Sequence, residues 1–152
     1  LAYLYRRIAG HPIPDMCSTA GLLHDIGKVV LLYNYTDRYL KAAAAIRNRK
    51  DIYYYYEKME FFDITHQELD AYLLNWWKFP QVIVEAALYH HAPLDRNVTD
   101  KQLMCLLNVA DTYSWGFIQG DENPAVEPEV LDQLGIAKDD LDQVIGEMQV
   151  CR

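Results

Sequence analysis

No stretch of this 152-residue chain is apolar for long enough to cross a bilayer, because Lys, Asp or Asn interrupts every candidate run. Nor does the start of the sequence read as a secretory leader: Leu1 to Ala9 is short, and Arg6 and Arg7 follow its apolar residues. Cysteine is scarce. Cys17, Cys105 and Cys151 are odd in number, far apart and without ligand spacing, so they read as buried or incidental thiols of a reducing cytoplasm. Basic side chains are outnumbered, 14 against 22 acidic, for a formal charge of −8. Such a surface repels a phosphate backbone and argues against nucleic-acid binding through a broad basic face. A small anionic ligand stays possible where a bound cation reverses the local field. What is present is a globular balance, 51% hydrophobic and 24% charged, at the size of one domain spanning residues 1–152. The chain opens without Met and in mid-helical pattern, which reads as part of a longer protein.

Alternating β-branched residues are also few, while Gly and Pro gather at segment ends, so an all-α domain is expected. Leu1 to Ala9 reads as a helix stopped at Gly10-His11-Pro12-Ile13-Pro14, with His11 a loop residue. Asp15 can cap a second helix, apolar at Met16, Ala20, Leu23, Ile26, Val30 and Leu31, with His24 and Asp25 in its middle. A third, Thr36 to Asn48, would turn Tyr39, Leu40, Ala43 and Ile46 inward, and Ile52 to Phe62 carries four consecutive tyrosines, Tyr53 to Tyr56. Thr65 with Glu68 makes a capping box opening a helix through Trp77. Pro80 suits the first turn of the next, which reaches His91. Thr99 with Gln102 repeats the box before a helix running through Asp111 toward Phe117. Short helices follow over Pro128 to Leu134, ended by Gly135, and Lys138 to Met148.

Four of the five histidines fall in three places. His24 precedes Asp25, His66 sits just inside the capping box, and His90-His91 ends a helix. Imidazole nitrogens and carboxylate oxygens are ligands that zinc, iron, manganese and nickel accept. Singly, each has an ordinary role: a hydrogen-bonded His-Asp pair, a solvated first-turn His, and a doublet favoured by the helix dipole. Asp111 is harder to dismiss, since Leu106, Leu107, Val109 and Ala110 surround it and an unpaired carboxylate there is expensive. Jointly the residues suggest one pocket in which imidazoles 24, 66, 90 and 91 meet carboxylates 25 and 111. Lys28, four residues beyond His24, would meet a phosphoryl oxygen there. Tyr53 to Tyr56, with Trp76, Trp77 and Trp115, supply aromatic surface for a protein partner or self-association, although at least one of Trp76 and Trp77 should be buried.

The order of these segments resembles the HD superfamily of metal-dependent phosphohydrolases, and most closely its HDOD branch, which is related to HD-GYP domains. The likeness rests on Gly21-Leu-Leu-His24-Asp25-Ile-Gly-Lys28, Thr65-His66-Gln-Glu-Leu-Asp-Ala71-Tyr-Leu-Leu74, Trp77-Lys-Phe-Pro80 and Ile83-Val-Glu-Ala-Ala-Leu-Tyr-His90-His91. It continues in Asn108-Val-Ala-Asp111 and Glu129-Val-Leu-Asp-Gln-Leu-Gly-Ile136, nearly the whole chain, and matches the C-terminal, HD-like portion of an HDOD region.

The resemblance implies an HD-domain-like helical bundle and a cytoplasmic, bacterial signal-transduction output module. It implies a divalent transition metal (Fe, Mn, Zn or Ni), mononuclear or dinuclear. By position, His24, Asp25, His66, His90, His91 and Asp111 would be its ligands, with Asp25 bridging and Lys28 contacting phosphate. The competing expectation is a phosphohydrolase or phosphodiesterase acting on a small phosphate ester or nucleotide, with Asp25 and Lys28 catalytic. Two departures stand out. Leu1 to Ala9 contains no His where the family has its first ligand, and Ala-Pro-Leu-Asp-Arg-Asn follows His91 in place of the Gly-Tyr-Pro loop of cyclic di-GMP phosphodiesterases.

Overall fold

A computed structural model describes residues 1–10, 15–45, 53–61, 63–121 and 124–150. Helices joined by turns and short loops make up the described residues, and no strand occurs among them, as an all-α bundle requires. His11, Ile46, Cys151 and the side chains of Tyr53 to Tyr56, on which expectations were placed, lie outside the described residues. The chain divides into two compact units, one of Leu22–Leu88 and one of Leu1–Gly21 with Tyr89–Arg152.

Helix α1 (Ala2–Leu4) runs into a π-helical turn (Tyr5–Ala9) that Gly10 ends with a left-handed φ of 66°. Next is α2 (Asp15–Leu23), which stops short of the His-Asp pair, and α3 (Ile26–Asn34) begins only after it. One continuous helix was expected here. The backbone instead turns at Asp25 (φ −122°, ψ 18°), and the Lys28 N–H donates to the Asp25 carbonyl as α3 starts. On an unbroken helix, neighbouring side chains diverge by about 100°. The break lifts that restriction and lets His24 and Asp25 face each other.

Within the Leu22–Leu88 unit, α3 packs on α6 (His66–Trp76) and on α4 (Thr36–Ala45), and α4 packs on α5 (Tyr53–Glu60). Leu31, Ala42 and Phe61 form a buried cluster, with Tyr39 and Leu69 against it. The inner face of α4 therefore runs through Tyr39 and Ala42, whereas Leu40 is 55% exposed and Ala43 faces out. A run of four alanines, Ala42 to Ala45, carries almost no hydrophobic contrast, so its phase was set by packing.

Thr65 caps α6 as its sequence predicts: its side chain accepts from the Glu68 N–H, and Glu68 accepts from the Thr65 N–H at 2.8 Å. At the other end the Phe79 N–H reaches the Leu74 carbonyl and the Lys78 N–H that of Asn75, with Lys78 left-handed at φ 63°. Both Trp76 and Trp77 lie on the surface, 65% and 48% exposed, against the expectation that one would be buried. The helix already fills its inner face with Ala71 and Leu74. Helix α7 is Gln81–Tyr89, starting one residue after Pro80 and ending before the His doublet.

In the other unit, α8 (Lys101–Gln119) packs on α9 (Pro128–Leu134) and on the π-helical turn, while α1 meets α10 (Lys138–Val150). Asp100, not Thr99, is the N-cap of α8, its side chain accepting from the Leu103 N–H at 2.9 Å. Aspartate is the stronger capping residue, and one step along the chain was enough to change the register. Leu103 to Leu107 are all buried, so this stretch of α8 is enclosed on every side. Lys138 reaches both Asp142 (2.6 Å) and the Tyr113 hydroxyl (2.7 Å), and Tyr113 donates to Asp142, tying α10 to α8.

Candidate functional site

His66 follows the Thr65 cap, a place where a lone histidine is usually solvated, yet its exposure is 0%. The reason is Glu57 on α5, also buried. Its carboxylate accepts from the His66 backbone N–H at 3.1 Å and lies 2.8 and 3.0 Å from Nδ1. A carboxylate only accepts, so the Nδ1 facing it carries the proton. That fixes the ring and turns Nε2 toward Asp25, whose Oδ1 is 3.5 Å away.

Asp25 has a different partner at each oxygen. Oδ1 faces His66, while Oδ2 lies 3.5 Å from His24 Nε2 and 2.7 Å from Lys28 Nζ. Lys28 was expected on the His24 face, ready for phosphate; here it is ion-paired with Asp25, and its side chain is only 11% exposed. The donor set fits a transition metal. Two ligands each about 2.0–2.2 Å from one ion stand roughly 3–3.5 Å apart, which matches the 3.5 Å spacings of Asp25 to both imidazoles. A carboxylate presenting one oxygen to each of two imidazoles also has the form of a bridging ligand, and Glu57 supplies the outer hydrogen bond that metal-binding histidines keep.

Beneath this group lies Asp70, fully buried on α6. Its Oδ1 accepts from the Gly27 N–H in the first turn of α3. Burial, more than any neighbour, pushes its carboxyl up to about 8; the Gly27 hydrogen bond and Lys28 oppose that rise, whereas Asp25 and Glu57 add to it. Gly27 has no side chain to spare. A Cβ there would stand 2.8 Å from both Asp70 Oδ1 and the His66 carbonyl oxygen.

The second set of expected residues belongs to the unit that contains Tyr89–Arg152. His90 and His91 follow α7 in a turn, with ring centres 4.0 Å apart. Asn108 of α8 donates from Nδ2 to the His90 carbonyl at 2.8 Å, which fixes the doublet's backbone. His90 is fully buried, and His91 Nδ1 lies 3.9 Å from Oδ2 of Asp111, also buried. The partner that an apolar-flanked Asp111 demanded is thus found on the doublet.

His24, Asp25, Lys28 and His66 come together within one unit, and His90, His91 and Asp111 within the other. Glu57 and Asp70 were missed. Asp70 could have been found: it lies four residues after His66, hence on the same face, between Leu69 and Ala71, the same signal that marked Asp111. Glu57, between tyrosines and Lys58, carries no such mark.

Among the described residues no helix is long and apolar enough to cross a membrane. Neither the curated proteins nor the solved structures include a significant match. The family model of the HDOD domain matches residues 2–93, more than half of the chain, taking in every expected site residue except Asp111. With that match laid over an all-α fold and a His/Asp cluster compatible with metal, this chain belongs to the HDOD family.

Proposed function

We propose that the chain is a single-domain, cytoplasmic, bacterial signal-transduction output module of the HDOD type that retains a divalent transition-metal site. Its ligands in this reading are His24, Asp25, His66, His90, His91 and Asp111. The observation that carries it is the setting of His66, held at Nδ1 by buried Glu57 and presenting Nε2 to Asp25. A lone structural histidine needs no such second carboxylate, whereas a ligand is oriented by one. Exposed Trp76 and Trp77, with Leu22 and Tyr33, offer apolar surface to a protein partner or a second copy. Elemental analysis of the purified protein should find iron, manganese, zinc or nickel, and His24→Ala with Asp25→Ala should abolish it. Protein free of metal, which takes up none when it is offered, would end this reading.

A second reading, a metal-dependent phosphohydrolase acting on a small phosphate ester or nucleotide, is favoured by Lys28, a shielded cation beside Asp25. A bound divalent metal would supply Lewis acidity toward a phosphoryl group. Asp25 would hold it, and Lys28 would exchange its contact with Asp25 for a phosphoryl oxygen, steadying charge in the transition state. Release of nitrophenol from a generic phosphodiester with added manganese, lost in Lys28→Ala, is the expected outcome. No turnover under those conditions sinks this second reading and leaves the module.

A further inference from the structure

Resting on the proposed metal reading, we infer that Asp70 is a positioning residue: from α6 it caps the first turn of α3 and so sets the backbone that carries His24 and Asp25. The first N–H groups of any helix need acceptors from outside it, and the residue before the helix usually supplies one from its own side chain. Asp25 occupies that place for α3 but makes no side-chain cap. Its carboxylate is turned to Lys28 and the two imidazoles. The acceptor for the Gly27 N–H comes instead from Asp70, 43 residues along the chain. Two aspartates divide the work that one normally does: Asp70 caps, which leaves Asp25 to face cations.

Close approach at Gly27 makes the arrangement rigid. The Cβ position there is bounded at 2.8 Å by Asp70 Oδ1 and at 2.8 Å by the His66 carbonyl oxygen. The contact that caps α3 thus also gauges its distance from the residue bearing the other imidazole. Asp70 Oδ2 is buried and meets no hydrogen-bond partner among the described residues. Stability alone would favour an apolar residue over such a group.

The test uses Asp70→Ala, Asp70→Asn and Gly27→Ala in the full chain, with Phe61→Leu as a control for generic loss of stability. Cobalt(II) is titrated into apo-protein and its visible bands recorded; histidine-ring and Gly27 amide signals are followed by NMR without metal. Asp70→Ala and Gly27→Ala are expected to weaken cobalt binding about tenfold or more, shift the bands, and move the His24 and His66 ring signals. Asp70→Asn, which keeps an acceptor for the Gly27 N–H, should stay within about threefold of wild type, on the scale where a tenfold change is 1.4 kcal/mol. Wild-type affinity and unmoved ring signals in Asp70→Ala overturn the inference, as does equal weakening by Phe61→Leu. Should the wild type bind no cobalt, the metal reading fails separately. Metal-free ring signals then decide: moved by Asp70→Ala and restored by Asp70→Asn they support positioning, and unmoved they refute it. If Asp70→Ala does not fold, Gly27→Ala and Asp70→Asn decide in its place, by the same ring signals and cobalt affinities.

Discussion

Glu57 makes a sharp demand on the site, because its removal has two consequences of different size. The carboxylate accepts from the His66 backbone N–H at 3.1 Å and faces Nδ1 at 2.8 Å, all of it buried. Glu57→Ala strands both donors, and each unsatisfied buried group costs about 1–3 kcal/mol, so a loss of roughly 2–6 kcal/mol is expected. Against a typical total of about 5–15 kcal/mol, that is a large fraction. Glu57→Gln is milder for the fold, about 1–2 kcal/mol, since one amide oxygen still accepts. It is not milder for the site. An amide can donate as well as accept, so Nδ1 need no longer carry the proton, and the proton can move to the Nε2 that faces Asp25. Metal affinity should fall about 10–100-fold, equivalent to about 1.4–2.8 kcal/mol. Urea unfolding in chelator gives the first quantity and cobalt titration the second. Undiminished cobalt affinity in a folded Glu57→Gln protein would refute the orienting role, and a loss below about 1 kcal/mol in Glu57→Ala would refute the stranded-donor argument.

Three further outcomes follow from the same geometry. Lys78 closes α6 at φ 63°, a conformation costing a non-glycine residue about 1–2 kcal/mol; Lys78→Gly should raise stability by about 0.5–1 kcal/mol after the glycine's freedom in the unfolded chain is subtracted. A lower urea midpoint would contradict this. Gly116→Ala would drive a Cβ into Pro124, so about 1–3 kcal/mol should be lost, and unchanged thermal unfolding would contradict this. Burial pushes the Cys105 thiol up to about 11 and also raises Cys17. In a Cys151→Ser background, folded protein at pH 8 should therefore react with a disulfide reagent far more slowly than urea-unfolded protein, because the thiolate is the nucleophile. The folded rate should climb as pH rises toward 11; equal rates for folded and unfolded protein at pH 8 would count against the burial.

The sequence by itself determined the element types and the chemistry on offer. Pro and Gly at segment ends, together with the Thr65–Glu68 box, mark helices because caps and breakers act locally, through hydrogen bonds a few residues apart. His24, Asp25 and Asp111 stood out because polar groups amid apolar neighbours require partners, and His66 because an imidazole is a ready metal ligand. Tertiary structure decided who those partners are. Glu57 and Asp70 gain their roles only from helices packed against them, and Lys28 is found paired with Asp25, three residues before it. Which of the alanines 42 to 45 turns inward also belongs to packing, since alanines present the same small surface all round. Local patterning fixes where a side chain starts, but the worth of burying a charge depends on atoms that the fold brings from tens of residues away.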